Sequence, residues 1–240
     1  MGPAMRRVPL LAALVGLSMM GASAGVAGAQ TPAPSPVAVP IYVVMYVEVM
    51  PSAAATGATL LRVYRDAVRR EAGNLRCEVV ERIGQPNQFV MLLVWKDQKA
   101  FDANAARAST QEMRERIAAI RNAPTDERVH ASLATGPLDA HITKETMYVV
   151  THVDVIPPRK DDGVVALRRL AEDSMKEEGN LRFEVVQQVN RPNHFTVVEL
   201  WSSARETEAH SMAASTRRFR DALALITGAL YDERTYRALD

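Results

Sequence analysis

Glu71-Ala72-Gly73-Asn74-Leu75-Arg76-Cys77-Glu78-Val79-Val80 and Glu177-Glu178-Gly179-Asn180-Leu181-Arg182-Phe183-Glu184-Val185-Val186 are one stretch written twice. Each is followed by a Pro-Asn pair (Pro86-Asn87, Pro192-Asn193), a phenylalanine (Phe89, Phe195) and a tryptophan (Trp95, Trp201). The offset is 106 residues throughout, with no insertion. A period this long implies two copies of one folded unit, not an array of short repeats.

Working outward from the first copy, Ile41 to Met50 is β-branched and aromatic and stops at Pro51. It reads as a strand with apolar residues on both faces. Leu61, Tyr64 and Val68 recur at helical spacing, which places an amphipathic helix over about 54–71. Gly73 ends it, because a glycine at a helix C-terminus can take positive φ without steric cost. Leu75 to Ile83 is the next strand, Gly84 to Asn87 a turn, and Gln88 to Trp95 the returning strand. Asp97 caps a short helix containing Phe101, and Ser109-Thr110-Gln111-Glu112 fits a capping box for a further one striped by Met113, Ile117 and Ile120. Glu127 to Leu133 is the last strand.

The second copy repeats this order after a polar linker over 135–146. Val164, Leu167, Leu170 and Ala171 stripe its first long helix, Ser203-Ala204-Arg205-Glu206 forms a capping box, and Phe219, Leu223 and Ile226 stripe its last helix. The order β-α-β-β-α-α-β gives an α+β, ferredoxin-like unit: an antiparallel sheet with helices on one face. The bare sheet face is apolar and must be covered. Two copies in one chain, 41–134 and 147–240, cover each other sheet to sheet as an intramolecular pseudo-dimeric α+β barrel.

Arg6-Arg7, the apolar run Val8 to Met20 and Ala27-Gly28-Ala29 make the three-part pattern of a secretory signal peptide over 1–29. The run is short for a membrane span. Pro32, Pro34, Pro36 and Pro40 make 30–40 an extended linker. The expectation is an exported protein, periplasmic or secreted, cleaved near Ala29 and then without stable membrane insertion. Lys and Arg number 29 against 28 Asp and Glu, so no electrostatic argument favours a nucleic-acid partner. The single cysteine, Cys77, forms no intrachain disulfide and reads as a small core residue.

Each copy resembles the antibiotic biosynthesis monooxygenase domain. The resemblance rests on E-x-G-N-L-R-[CF]-E-V-V, then P-N-x-F, then a strand ending in Trp. In the second copy a helix follows carrying His210, nine residues after Trp201. It implies a cofactor-independent oxygenase acting on dioxygen and a small electron-rich phenol or quinol, with no bound cofactor or metal. Two other readings stand beside it: a non-catalytic barrel that binds a small ligand, and a haem-binding or haem-degrading protein. Further homo-oligomerisation is open.

The copies differ where chemistry would sit. Asn104 matches His210, Tyr46 matches His152, and Leu93 matches Glu199. The second copy is therefore the candidate site, with His210 as base, Trp201 walling a pocket, Asn193 donating a hydrogen bond to a substrate oxygen, and Glu199 and His152 as further ionisable groups. Each has a structural alternative: core packing for Trp201, turn chemistry for Asn193, helix packing for His210, and an ion pair with Arg182 for Glu199. His152 lies in the same cavity or on the opposite sheet face. His130, His141 and His194 read as loop or edge residues.

Overall fold

The computed structural model describes residues 39–239. The expected signal segment, and the linker before Val39, lie outside them. In the first repeat the elements are β1 (Ile41–Glu48), α1 (Ala54–Val68), β2 (Asn74–Arg82), β3 (Gln85–Trp95), α2 (Gln98–Ala105), α3 (Ala108–Ile120) and β4 (Asp126–Thr135). The second repeat has β5 (Met147–Asp154), α4 (Lys160–Ser174), β6 (Asn180–Gln188), β7 (His194–Trp201), α5 (Ala204–Ser211), α6 (Ala214–Ala224) and β8 (Asp232–Ala238). The α+β order matches the expectation in both repeats.

The eight strands close into one barrel in the order β1-β3-β2-β8-β5-β7-β6-β4. Closure uses two short seams between the repeats. Val80–Arg82 of β2 pair with Tyr236–Ala238 of β8, and His130–Thr135 of β4 pair with Glu184–Gln188 of β6. Because side chains alternate along a strand, each strand serves two cores. Val43, Met45, Val47 and Val49 of the first repeat face its helices, with Leu61, Tyr64, Val68, Met113 and Ile117. The second repeat builds the same outer core around Val149, Val153, Leu167, Phe183 and Phe219. The opposite faces (Val44, Val80, Leu92, Tyr148, Val150, Val198 and Tyr236) fill the barrel lumen. Cys77 is buried in the first outer core, and burial pushes its thiol up to about 12, so it stays a thiol.

The lumen also holds four charges. Arg76 of β2 makes two hydrogen bonds to Glu184 of β6, at 2.8 and 2.7 Å, and Arg182 of β6 donates to both oxygens of Glu78 on β2. Tyr148 donates to Glu78 at 3.3 Å, and the Leu138 carbonyl accepts from both arginines. The repeated Arg-x-Glu thus pairs with itself across the lumen. Arg182 is committed here, on the lumen side, and does not partner Glu199 as the sequence suggested.

Three local expectations fail for identifiable reasons. Helix α1 stops at Val68, and Gly73 does not take positive φ, whereas its counterpart Gly179 does, at +77°. Gly73 is required by space: a Cβ there would lie 2.4 Å from that of Ala100. Helix α3 begins at Ala108 behind Arg107, which provides no side-chain cap, so Ser109 is already inside the helix. His130 is no edge residue. It is fully buried in β4, its Nε2 lies 3.0 Å from the Thr196 hydroxyl, and desolvation drops its pKa to about 4.

Candidate functional site

Alternation along β7 puts Glu199 and Trp201 on the helix side of the sheet and Val198 and Leu200 in the lumen. Ser203 caps α5, its hydroxyl accepting from the Arg205 N–H at 3.2 Å. This fixes the helix so that its last turn brings His210 back over Trp201. The two rings stack with centroids 4.5 Å apart at 26°. Imidazole Nδ1 lies 2.8 Å from Glu177 Oε2, and Nε2 lies 3.4 Å from Glu199 Oε2. The Trp201 indole donates to that same Glu199 oxygen at 2.8 Å. Ser215 donates to the other oxygen of Glu177 at 2.9 Å, and Thr216 donates to the His210 carbonyl at 2.7 Å.

The result is a carboxyl–imidazole–carboxyl series running inward from Glu177 through His210 to Glu199. Burial raises the Glu199 pKa to about 8. The nearby Glu233 and Glu177 charges add to this, and the Trp201 hydrogen bond offsets part of it. Glu199 therefore holds its proton at neutral pH. A groove of about 470 Å³ exposes the outer end of the series, with Glu177, His210, Ser215, Ala213 and the Asp173–Arg218 pair in its walls. Asp173, Ser215 and Arg218 are shared with a second depression of about 290 Å³ between α4 and α6, lined by Val165, Ala166, Leu170 and Phe219. A polar floor thus adjoins an apolar trough, the composition expected for binding a small molecule.

Of the five residues singled out from sequence, the structure brings His210, Glu199 and Trp201 together. Trp201 is wholly buried beneath His210 with its N–H committed to Glu199, so it supports the imidazole rather than walling a pocket. Asn193 sits before the other end of β7 and donates to the Val155 carbonyl at 2.8 Å. Its counterpart Asn87 donates to the Val49 carbonyl at 2.9 Å in the same way. This is the turn role. His152 points to the lumen side, its Nε2 3.2 Å from His194 Nδ1, across the sheet from His210.

Glu177 was missed. It belongs to the duplicated stretch, and its identity with Glu71 disguised it as a feature of the fold. The environments of the two glutamates separate them. Glu71 accepts from Asn104 at 3.2 Å and pairs with Arg107 at 3.0 Å, while Tyr64 donates to Asn104 at 3.1 Å. At the matched places the second repeat has His210, Ala213 and Leu170. Trp95, lacking a counterpart of Glu199, has an indole N–H without a hydrogen-bond partner among the described residues. One repeat has filled this space with neutral and paired groups, and the other has opened it over a titratable series.

A closed barrel of two ferredoxin-like repeats, with a polar series under the helices of one repeat, defines a pseudo-dimeric α+β barrel with a candidate small-molecule site. The antibiotic biosynthesis monooxygenase model matches the chain twice, over residues 40–116 and 146–222, and the chain belongs to that family. No functionally curated protein shows significant sequence similarity to it. Among solved structures it is similar to a candidate monooxygenase from Fusobacterium nucleatum (TM-score 0.76, 16% identity, 85% of this chain and 94% of the other). A candidate monooxygenase from Lactobacillus acidophilus gives TM-score 0.68 at 12% identity, covering 84% of this chain and 95% of the other. An anthrone oxidase-like protein gives 0.66 at 13%, covering 84% and 91%. At these identities the likeness is one of fold.

Proposed function

We propose that this is an exported, cofactor-independent monooxygenase that acts on a small phenol or quinol in the groove of the second repeat. The observation that carries the reading is the Glu177–His210–Glu199 series opening on that groove in one repeat and absent from the other. Export rests on the Arg6-Arg7, Val8–Met20 and Ala27-Gly28-Ala29 pattern. The aromatic ring would lie in the trough formed by Leu170 and Phe219, with its hydroxyl towards Glu177 and His210. The Glu177–His210 pair takes the hydroxyl proton, which raises the electron density of the ring for attack on dioxygen. The balance is complete without another reductant. A phenol loses its O–H and one ring C–H hydrogen, one oxygen atom enters the ring to give the quinone, and the other leaves as water with those hydrogens. All four electrons come from the ring.

Oxygen uptake with a panel of hydroxyaromatics and quinols tests the proposal. A responsive substrate is expected, with His210→Ala lowering its turnover by about 10²–10⁴-fold. Undiminished turnover in that variant removes His210 from the mechanism, and no uptake with any member of the panel removes the reaction.

A further inference from the structure

The first repeat, which lacks the titratable series, has a cavity of its own. It is a crevice of about 380 Å³ between α3 and the outer face of β1, and Asn104 and Trp95 take no part in its walls. Met45, Val47, Met113 and Ile117 make an apolar floor. Arg114, Glu127 and Arg121 stand at the rim. The volume falls in the range of small-molecule pockets, roughly 300–1,000 Å³. Two methionines in the floor make it adaptable, since their unbranched side chains repack at little cost.

The rim is charged in one sense. Arg114 is neutralised by Glu127 at 3.0 Å. Arg121 is exposed and makes no side-chain hydrogen bond or ion pair among the described residues. One uncompensated cation therefore faces an apolar crevice. The second repeat differs at the matched places: Phe219 stands for Met113, Thr227 for Arg121 and Tyr231 for Thr125. The Arg220 guanidinium there lies 5.5 Å from the centroid of the Tyr231 ring. The free cation and the methionine floor are features of the first repeat alone.

We propose that this crevice is a second ligand site, independent of the groove in the other repeat, and that it takes a small amphiphile with a single carboxylate. The carboxylate sits on Arg121, where a guanidinium offers a charge-assisted, bidentate contact. The apolar body lies between Met45, Val47, Met113 and Ile117.

Calorimetric titration with octanoate, and with octan-1-ol as its uncharged counterpart, tests this. One octanoate is expected to bind per chain, at least tenfold more tightly than the alcohol. Arg121→Ala should weaken octanoate about tenfold and leave the alcohol unchanged. Ala118→Trp, at an exposed position on the crevice wall, should abolish both. His210→Ala should bind octanoate as the parent does, which separates this site from the groove. Both crevice substitutions are on the surface, and an unaltered thermal melt certifies the fold. Equal affinity in Arg121→Ala, retained binding in Ala118→Trp, lost binding in His210→Ala, or no octanoate binding by the parent each overturns the proposal.

Discussion

Burial pushes the pKa of the Glu199 carboxyl well above its ordinary value. The group is fully buried and titrates near pH 8, whereas the unfolded chain releases that proton near the usual carboxylate value. Between these pH values the folded state binds more protons than the unfolded state, so stability falls as pH rises from about 4.5 to about 8 and then levels off. Glu199→Gln keeps the shape and the acceptor for Trp201 but cannot ionise. It should flatten that slope, and at pH 8 it should be more stable than the parent by roughly 4 kcal/mol, read by urea denaturation across the pH range. Parallel curves for the two proteins would show that Glu199 does not hold its proton. Ala213 argues the functional side at the same scale. Ala213→Arg restores the residue that covers Glu71 in the first repeat, and it should close the groove over Glu177. Oxygen uptake should fall by about tenfold or more through loss of substrate access, with an unchanged melt. Unaltered uptake would place the substrate elsewhere.

Among the elements, the junctions between helix and strand carry the most specific requirements. Asp97 caps α2, accepting from the Ala100 N–H at 2.7 Å, as its position before the helix suggested. The path into β2 depends on Gly73 for close approach to Ala100 rather than for backbone freedom. Gly73→Ala must therefore push α2 away from the sheet, at a cost of about 1–3 kcal/mol typical of overpacking. A chemical-denaturation midpoint unchanged from the parent would refute the contact. The glycine itself was legible in the sequence as punctuation. Its reason was not, because the neighbour it must admit is 27 residues away in the chain.

For the whole molecule, the salient fact is that a duplicated sequence closes on itself. The Arg76, Glu78, Arg182 and Glu184 charges cross the lumen reciprocally, each repeat giving the other what it receives. A buried pair adds little net stability over an apolar replacement, but removing one partner strands the other charge. Arg182→Met leaves Glu78 with a longer contact to Arg76, at 3.6 Å, and should destabilise the barrel by about 3–5 kcal/mol in urea titration. A loss below about 1 kcal/mol would mean that the lumen is wet enough to solvate Glu78. The linker contributes here too. Leu138 packs with Tyr42, Val94 and Val186, while Ala140 and Ile142 pack against the lumen cluster, so a segment that reads as a polar connection is partly core.

The sequence by itself determined the duplication, the α+β order of each repeat, the turn role open to Asn193, and the divergence of the copies at 104/210, 46/152 and 93/199. These are local or periodic properties: alternation in strands, a 3.6-residue stripe in helices, and a constant offset between like residues. Only the tertiary structure decided which face of the sheet each divergent residue occupies. It put His152 in the lumen and His210 with Glu199 under the helices, where the sequence had left His152 open between the same cavity and the opposite face. It also decided that Glu177 differs from its twin Glu71, because that difference lies in neighbours across space, Ala213 against Arg107 and His210 against Asn104, and not in the glutamate. Charge pairing and burial depend on groups that meet only after the barrel closes, and a linear chain does not state which groups those are.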